Sequence, residues 1–136
     1  MFKKIMCLLL LCPIISFANV LPNYAAVKDA IEHGQAISVT MNFSKCTPKL
    51  PFNAYYSPRS IMILSDALAF SQNHTTRNNP QFPHQAIIEN VRYTLKEEGI
   101  LSITTLLLDP STFAPKDKQP PIISCKIGDG VQFYHS

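Results

Sequence analysis

Four histidines, four cysteines and a scatter of acidic and hydroxyl side chains are the groups in this 136-residue chain that could do chemistry, and their spacing decides which chemistry is open to it. His33, His74, His84 and His135 stand far apart. No two of them show a spacing such as HxxxH, which sets two ligands on one helix face. A metal site would need three or four ligands to converge, so these read as surface histidines, and no metal or other cofactor is expected. Serines are present, but none lies in the GxSxG elbow that presents a hydrolase nucleophile. Glu97 and Glu98 are neighbours beside Gly99, a turn setting that faces solvent and makes no catalytic carboxylate pair. Asn42-Phe43-Ser44 and Asn73-His74-Thr75 match the N-glycosylation sequon, a pattern short enough to arise by chance. The residue types point away from an enzyme, with a hydrolase as the remote alternative.

The cysteines carry more. Cys7 and Cys12 lie inside "MFKKIMCLLLLCPIISFAN", which has the grammar of a secretory signal peptide: Lys3 and Lys4, then an apolar run from Ile5 to Ile15, then the small-residue site Ser16-Phe17-Ala18. The run is shorter than the roughly 20 residues that span a bilayer and is broken by Pro13, so a membrane anchor is the weaker reading. Neither cysteine follows the small residue that lipid attachment needs. Cleavage after Ala18 would leave residues 19–136 as a single domain with no transmembrane segment, in the periplasm or outside the cell. Cys46 and Cys125 would remain, an even pair in an oxidising compartment, and no CxxC spacing suggests redox work. A structural disulfide is therefore expected, closing a loop of 79 positions.

Charge excludes a further class. Two of the twelve Lys and Arg leave with the leader, so ten face nine Asp and Glu, and the basic residues are scattered. Neither a nucleic-acid surface nor a polybasic membrane patch is supported.

The elements that must position these groups follow from periodicity. "LPNYAAVKDAIEHG" has Pro22 near its start, Gly34 just past its end and His33 in its last turn, with Tyr24, Val27, Ala30 and Ile31 along one stripe: an amphipathic helix. The period then changes to two. In "QAISVTMNFSKC", Ile37, Val39, Met41 and Phe43 alternate with Ser38, Thr40 and Asn42, a half-buried strand ending at Cys46. "RSIMIL" and "ALAFSQNHT" predict a hairpin around Ser65-Asp66. "QAIIENVRYTLKEEGILSITTLLLD" predicts a longer one around Gly99, with Ile87, Val91, Tyr93 and Leu95 on one face and Asn90, Arg92, Thr94 and Lys96 on the other. "PPIISCKIGDGVQFYHS" predicts a third hairpin at Gly128-Asp129-Gly130. The fold class is α+β, mainly β: an N-terminal helix, then an antiparallel meander of six or seven strands, curled or closed into a small barrel to bury its apolar face.

The leader, the helix ending at Gly34, "QAISVTMNFSKC", the hairpin "VRYTLKEEGILSITTLLLDP" and "ISCKIGDGV" together resemble the VirK family, small exported proteins associated with virulence in bacterial pathogens of plants and animals. The resemblance covers most of residues 19–136. It implies a bacterial extracytoplasmic protein with a virulence connection, and it brings no catalytic residues.

Recognition is then left to the long connections "TPKLPFNAYYSPR", "SQNHTTRNNPQFPHQ" and "DPSTFAPKDKQPP". The first sets Phe52, Tyr55 and Tyr56 between prolines, either as an aromatic surface for a partner or as a lid folded over an open end of the sheet. The expected function is a non-enzymatic binding or accessory protein engaging another protein or an envelope component. The alternative is a carrier that holds a small apolar ligand inside a curled sheet, which a deep apolar cavity would favour.

Overall fold

The change of period at Gly34 marks where helix gives way to sheet, and the backbone shows how. The computed structural model describes residues 19–116 and 121–136; the leader expected at 1–18 lies outside the described residues. Helix α1 (Tyr24–Glu32) begins at Asn23, whose Oδ1 accepts from the Ala26 N–H at 2.9 Å. It ends at His33. Gly34, with φ +72°, donates to the Ile31 carbonyl, and Gln35 donates to the Ala30 carbonyl, the paired bonds of a Schellman cap. The Asp29 carbonyl, 2.8 Å from His33 Nδ1, and the Asp29 and Glu32 carboxylates raise the His33 pKa above its usual value. Of the expected stripe, Tyr24, Val27 and Ala30 are buried and Ile31 is half-buried.

One expectation about order is corrected. The helix is not N-terminal, because strand β1 (Asn19–Leu21) precedes it and pairs with the last strand of the chain. The period of three residues is too short to register against the helix pattern that follows.

The sheet is built from β2 (Ile37–Asn42), β3 (Asn53–Tyr56), β4 (Met62–Ile63), β5 (Ala67–Thr76), β6 (Ile87–Lys96), β7 (Ile100–Leu108), β8 (Ile122–Ile127) and β9 (Gly130–His135), in the order β3-β2-β9-β8-β7-β6-β5-β4, with β1 also against β9. It curls into a half-barrel. The two hairpins predicted around Ser65-Asp66 and Gly99 form, in antiparallel register. Gly99, at φ +80°, donates to the Lys96 carbonyl, which sets the bulged turn. Along β6, Ile87, Tyr93 and Leu95 are buried, as the alternation required.

The third hairpin is the second correction, and with it the simple antiparallel meander. β8 and β9 meet only as Lys126↔Gly130 and Ile127↔Val131, in parallel, so the sheet is mixed. β9 instead runs antiparallel to β2 over Ile37 to Met41 and to β1 over Asn19 to Leu21. The Gly128–Gly130 segment turns a corner of the sheet: Gly128 has φ +83° and Gly130 has φ +121°. A Cβ at Gly130 would lie 3.2 Å from Cys46 Sγ and 3.3 Å from the Lys45 carbonyl oxygen, so the backbone approach there needs glycine.

The disulfide Cys46–Cys125 is present, with both residues buried at 2% and 1% exposure. Strand β2 stops earlier than expected, at Asn42, and a 3₁₀ turn over Phe43–Lys45 carries the chain to Cys46. Thr47 and Ser124 exchange both main-chain hydrogen bonds, at 2.9 and 2.8 Å, beside the bridge. The core cluster joins Leu21 and the α1 stripe to Val39, Met41, Leu95, Leu101, Val131 and Phe133 on the inner face of the half-barrel.

Candidate functional site

The first connection is not a loop throughout: it contains β3, an edge strand that among the described residues pairs only with β2. A four-residue strand flanked by prolines gave no readable alternation, yet its pleat decides the fate of the three aromatic side chains. Successive residues of a strand point to opposite faces, so Tyr55 and Tyr56 part company. Tyr55 is 69% exposed on the outer, wet face, where it borders a groove with Thr40, Asn42, Gln132 and Tyr134. Tyr56 turns inward. Its ring stacks on Tyr93 at 5.4 Å and on Phe70 at 5.9 Å, and those two stack on each other at 4.8 Å. Its hydroxyl donates to the Ser71 carbonyl of β5 at 2.9 Å. Since β3 and β5 stand near opposite ends of the strand order, this contact shows how far the sheet curls. Phe52 is 52% exposed, with its ring 4.6 Å from that of Phe43. The structure therefore does not bring Phe52, Tyr55 and Tyr56 into one patch.

Above the stacked rings the half-barrel stays open. A cleft of about 330 Å³ lies on the inner face, walled by Phe43, Phe52, Val91, Ile103, Leu107 and Ile123. None of its lining residues comes from α1. Helix α1 packs into the core cluster that also holds Leu95 of β6, while Glu89 and Val91 of the same strand line the cleft.

Polar groups enter this apolar cleft at a few defined points. Gln72 Nε2 donates to the Tyr93 hydroxyl at 2.9 Å. Burial pushes the Tyr93 pKa up to about 12, with the nearby Tyr56 adding and the Gln72 bond opposing, so the phenol is neutral at any ordinary pH. At the far side, Asn79 Nδ2 donates to Glu89 Oε1 at 2.9 Å, and Asn79 Oδ1 accepts from the Gln81 N–H at 2.9 Å.

The cleft residues Gln72, Asn79 and Glu89 were not among those singled out in the sequence. A signal existed. Glu89 interrupts the apolar row Ile87, Val91, Tyr93 and Leu95 at the correct period, placing a carboxylate on the inner face of a strand. Among the described residues, no cluster of three or more His, Cys, Asp or Glu is placed to hold a metal ion. No helix of the described residues is long and apolar enough to cross a membrane.

Fold and site define a class: a small, disulfide-closed half-barrel of β-strands with one packed helix and an apolar cleft along its open side. Residues 20–113 match the family model described as VirK protein, and the chain belongs to the VirK family. It is similar in structure to lpg1832, a VirK family protein from Legionella pneumophila whose crystal structure superposes with a TM-score of 0.75 at 26% identity, covering 84% of this chain and 97% of that one. It is also 25% identical over 126 residues to the uncharacterized protein y4wH of Sinorhizobium fredii, spanning 88% of this chain and 84% of that protein.

Proposed function

We propose that this VirK family chain is a non-enzymatic accessory protein, exported from a bacterial cell, that acts outside the cytoplasm in connection with virulence and binds another protein or an envelope component in the inner-face cleft. One observation carries the reading: Phe52 keeps half its surface in water at the mouth of a preformed apolar cleft. An aromatic ring held there is buried only when something enters, and such rings supply much of the energy of an interface. The near-neutral balance of ten basic against nine acidic residues after the leader fits a partner selected by shape and apolar surface. The carrier of a small apolar ligand is the second reading, favoured by the volume and lining of the same cleft.

The test is Phe52→Ala. A half-exposed ring contributes little to folding, so stability should stay within about 1 kcal/mol. Capture of partners from envelope extract should fall several-fold. Undiminished capture by the folded variant would remove the cleft as the binding site.

A further inference from the structure

The cleft is bounded by something more specific than apolar side chains: two strand edges with no strand between them. Among the described residues, β3 pairs with β2 along one edge and with nothing along the other. β4 covers β5 only as far as Ala69, so beyond that residue β5 pairs with β6 alone. The Tyr56 hydroxyl reaches across to the Ser71 carbonyl, so a side chain serves a main-chain acceptor that a neighbouring strand would otherwise take. Strands in a ladder lie about 4.8 Å apart. A gap spanned by a tyrosine side chain is wider than that.

The second observation is electrostatic. Glu89 is the one charged side chain among the described residues lining the cleft. Its cross-strand neighbours are His74 on β5 and Leu107 on β7, and no described residue forms an ion pair with it. Asn79, buried at 8% exposure, holds Glu89 Oε1. A buried amide whose two ends are spent on a carboxylate and on the Gln81 N–H orients that carboxylate in a wall whose other lining side chains are uncharged. This arrangement is complementary to a cation.

We infer that the cleft takes an extended polypeptide segment, which adds as a strand along the free edge of β3 or β5, sets alternate apolar side chains on the inner wall and presents a lysine or arginine to Glu89. Main-chain bonds to the free edge supply affinity, and the Glu89 contact supplies selection. This rests on the proposed cleft-binding function and names its partner.

The probes are capped hexapeptides alternating threonine and valine, with lysine, arginine, glutamine or glutamate at one inward position, and decylammonium as a cation without a peptide backbone. Calorimetry with the intact disulfide-bonded protein should show the lysine and arginine peptides binding about tenfold more tightly than the glutamine and glutamate peptides. Glu89→Gln, which keeps an acceptor for Asn79, should abolish that preference. Glu89→Lys should reverse it toward the glutamate peptide. The lysine peptide N-methylated at alternate backbone nitrogens should bind about tenfold more weakly; equal binding overturns strand addition. A lysine preference that survives Glu89→Gln overturns the role of Glu89. Binding of decylammonium with no peptide bound overturns the polypeptide partner and leaves the cleft as a small-molecule site. Binding of none of these probes overturns the inference, and if Phe52→Ala also leaves capture intact, the cleft reading falls with it.

Discussion

Two places in this half-barrel bring distant parts of the chain together, and they do so by different means. At the seam near Cys46 and Cys125, the chain is closed by a covalent bridge, a reciprocal pair of main-chain hydrogen bonds between Thr47 and Ser124, and a glycine at 130 that admits Cys46 Sγ. At the margin between β3 and β5, the approach is made by one tyrosine hydroxyl and a stack of three rings, with an open cleft beyond. The seam has its main chain paired and both cysteines buried, with Thr47 exposed beside them. The margin has its edges unpaired and Phe52 half in water. Unpaired strand edges are a liability that proteins normally blunt or cover, so the edge left open beside the cleft is where the proposed partner would add. The covalent closure lies at one place and the open cleft at the other.

The largest effect should come from breaking the seam. Cys46→Ser and Cys125→Ser each open the same loop of 79 positions, and each should cost about 4 kcal/mol in the chain-entropy description of crosslinks. Denaturant unfolding of both variants checks this. Markedly unequal costs would mean that something other than the crosslink holds the seam.

A smaller effect should follow at the margin, and it separates two adjacent tyrosines. Tyr56→Ala removes a ring from the stack with Phe70 and Tyr93 and frees the Ser71 carbonyl, and should cost about 3 kcal/mol. Tyr55→Ala, on the outer face, should stay within about 0.5 kcal/mol. Equal melting temperatures for the two variants would show that the margin contributes nothing to closure.

The smallest effect is a pH dependence at the same stack. The Tyr93 pKa is raised in the folded state, to about 12 from 10.0, so the folded protein holds this proton more tightly than the unfolded chain does. The stabilisation is fully present below pH 10 and is lost as pH rises from there toward 12, by on the order of 2 kcal/mol at most. Tyr93→Phe should flatten that part of the stability curve, and the wild-type phenol absorbance should show one tyrosine titrating late. A Tyr93 that ionises near pH 10 would place the stack in water and dissolve the contrast drawn between margin and seam.

What could be read along the chain was whatever repeats locally. The α1 stripe, the alternation along β2, β6 and β7, and the turn at Gly99 follow from periods of 3.6 and 2 and from a glycine at positive φ, each a property of a few neighbouring residues. The disulfide was legible too, because two cysteines left after the expected leader admit one pairing. Tertiary structure alone decided the rest. β1 and β3 are too short to show a period, and they exist as strands because β9 and β2 offer them edges. Gly128-Asp129-Gly130 has the composition of a hairpin, yet it turns a corner, since β9 finds its antiparallel partners in β2 and β1, far away in sequence. Phe52, Tyr55 and Tyr56 looked like one surface because they are neighbours in sequence. The pleat sends Tyr55 and Tyr56 to opposite faces, and curvature of the sheet delivers Tyr56 to a stack on β5 and β6. Glu89 was visible as a lone charge in an apolar row. Only the folding of Asn79 against it, and the opening of the half-barrel in front of it, made that charge part of a site.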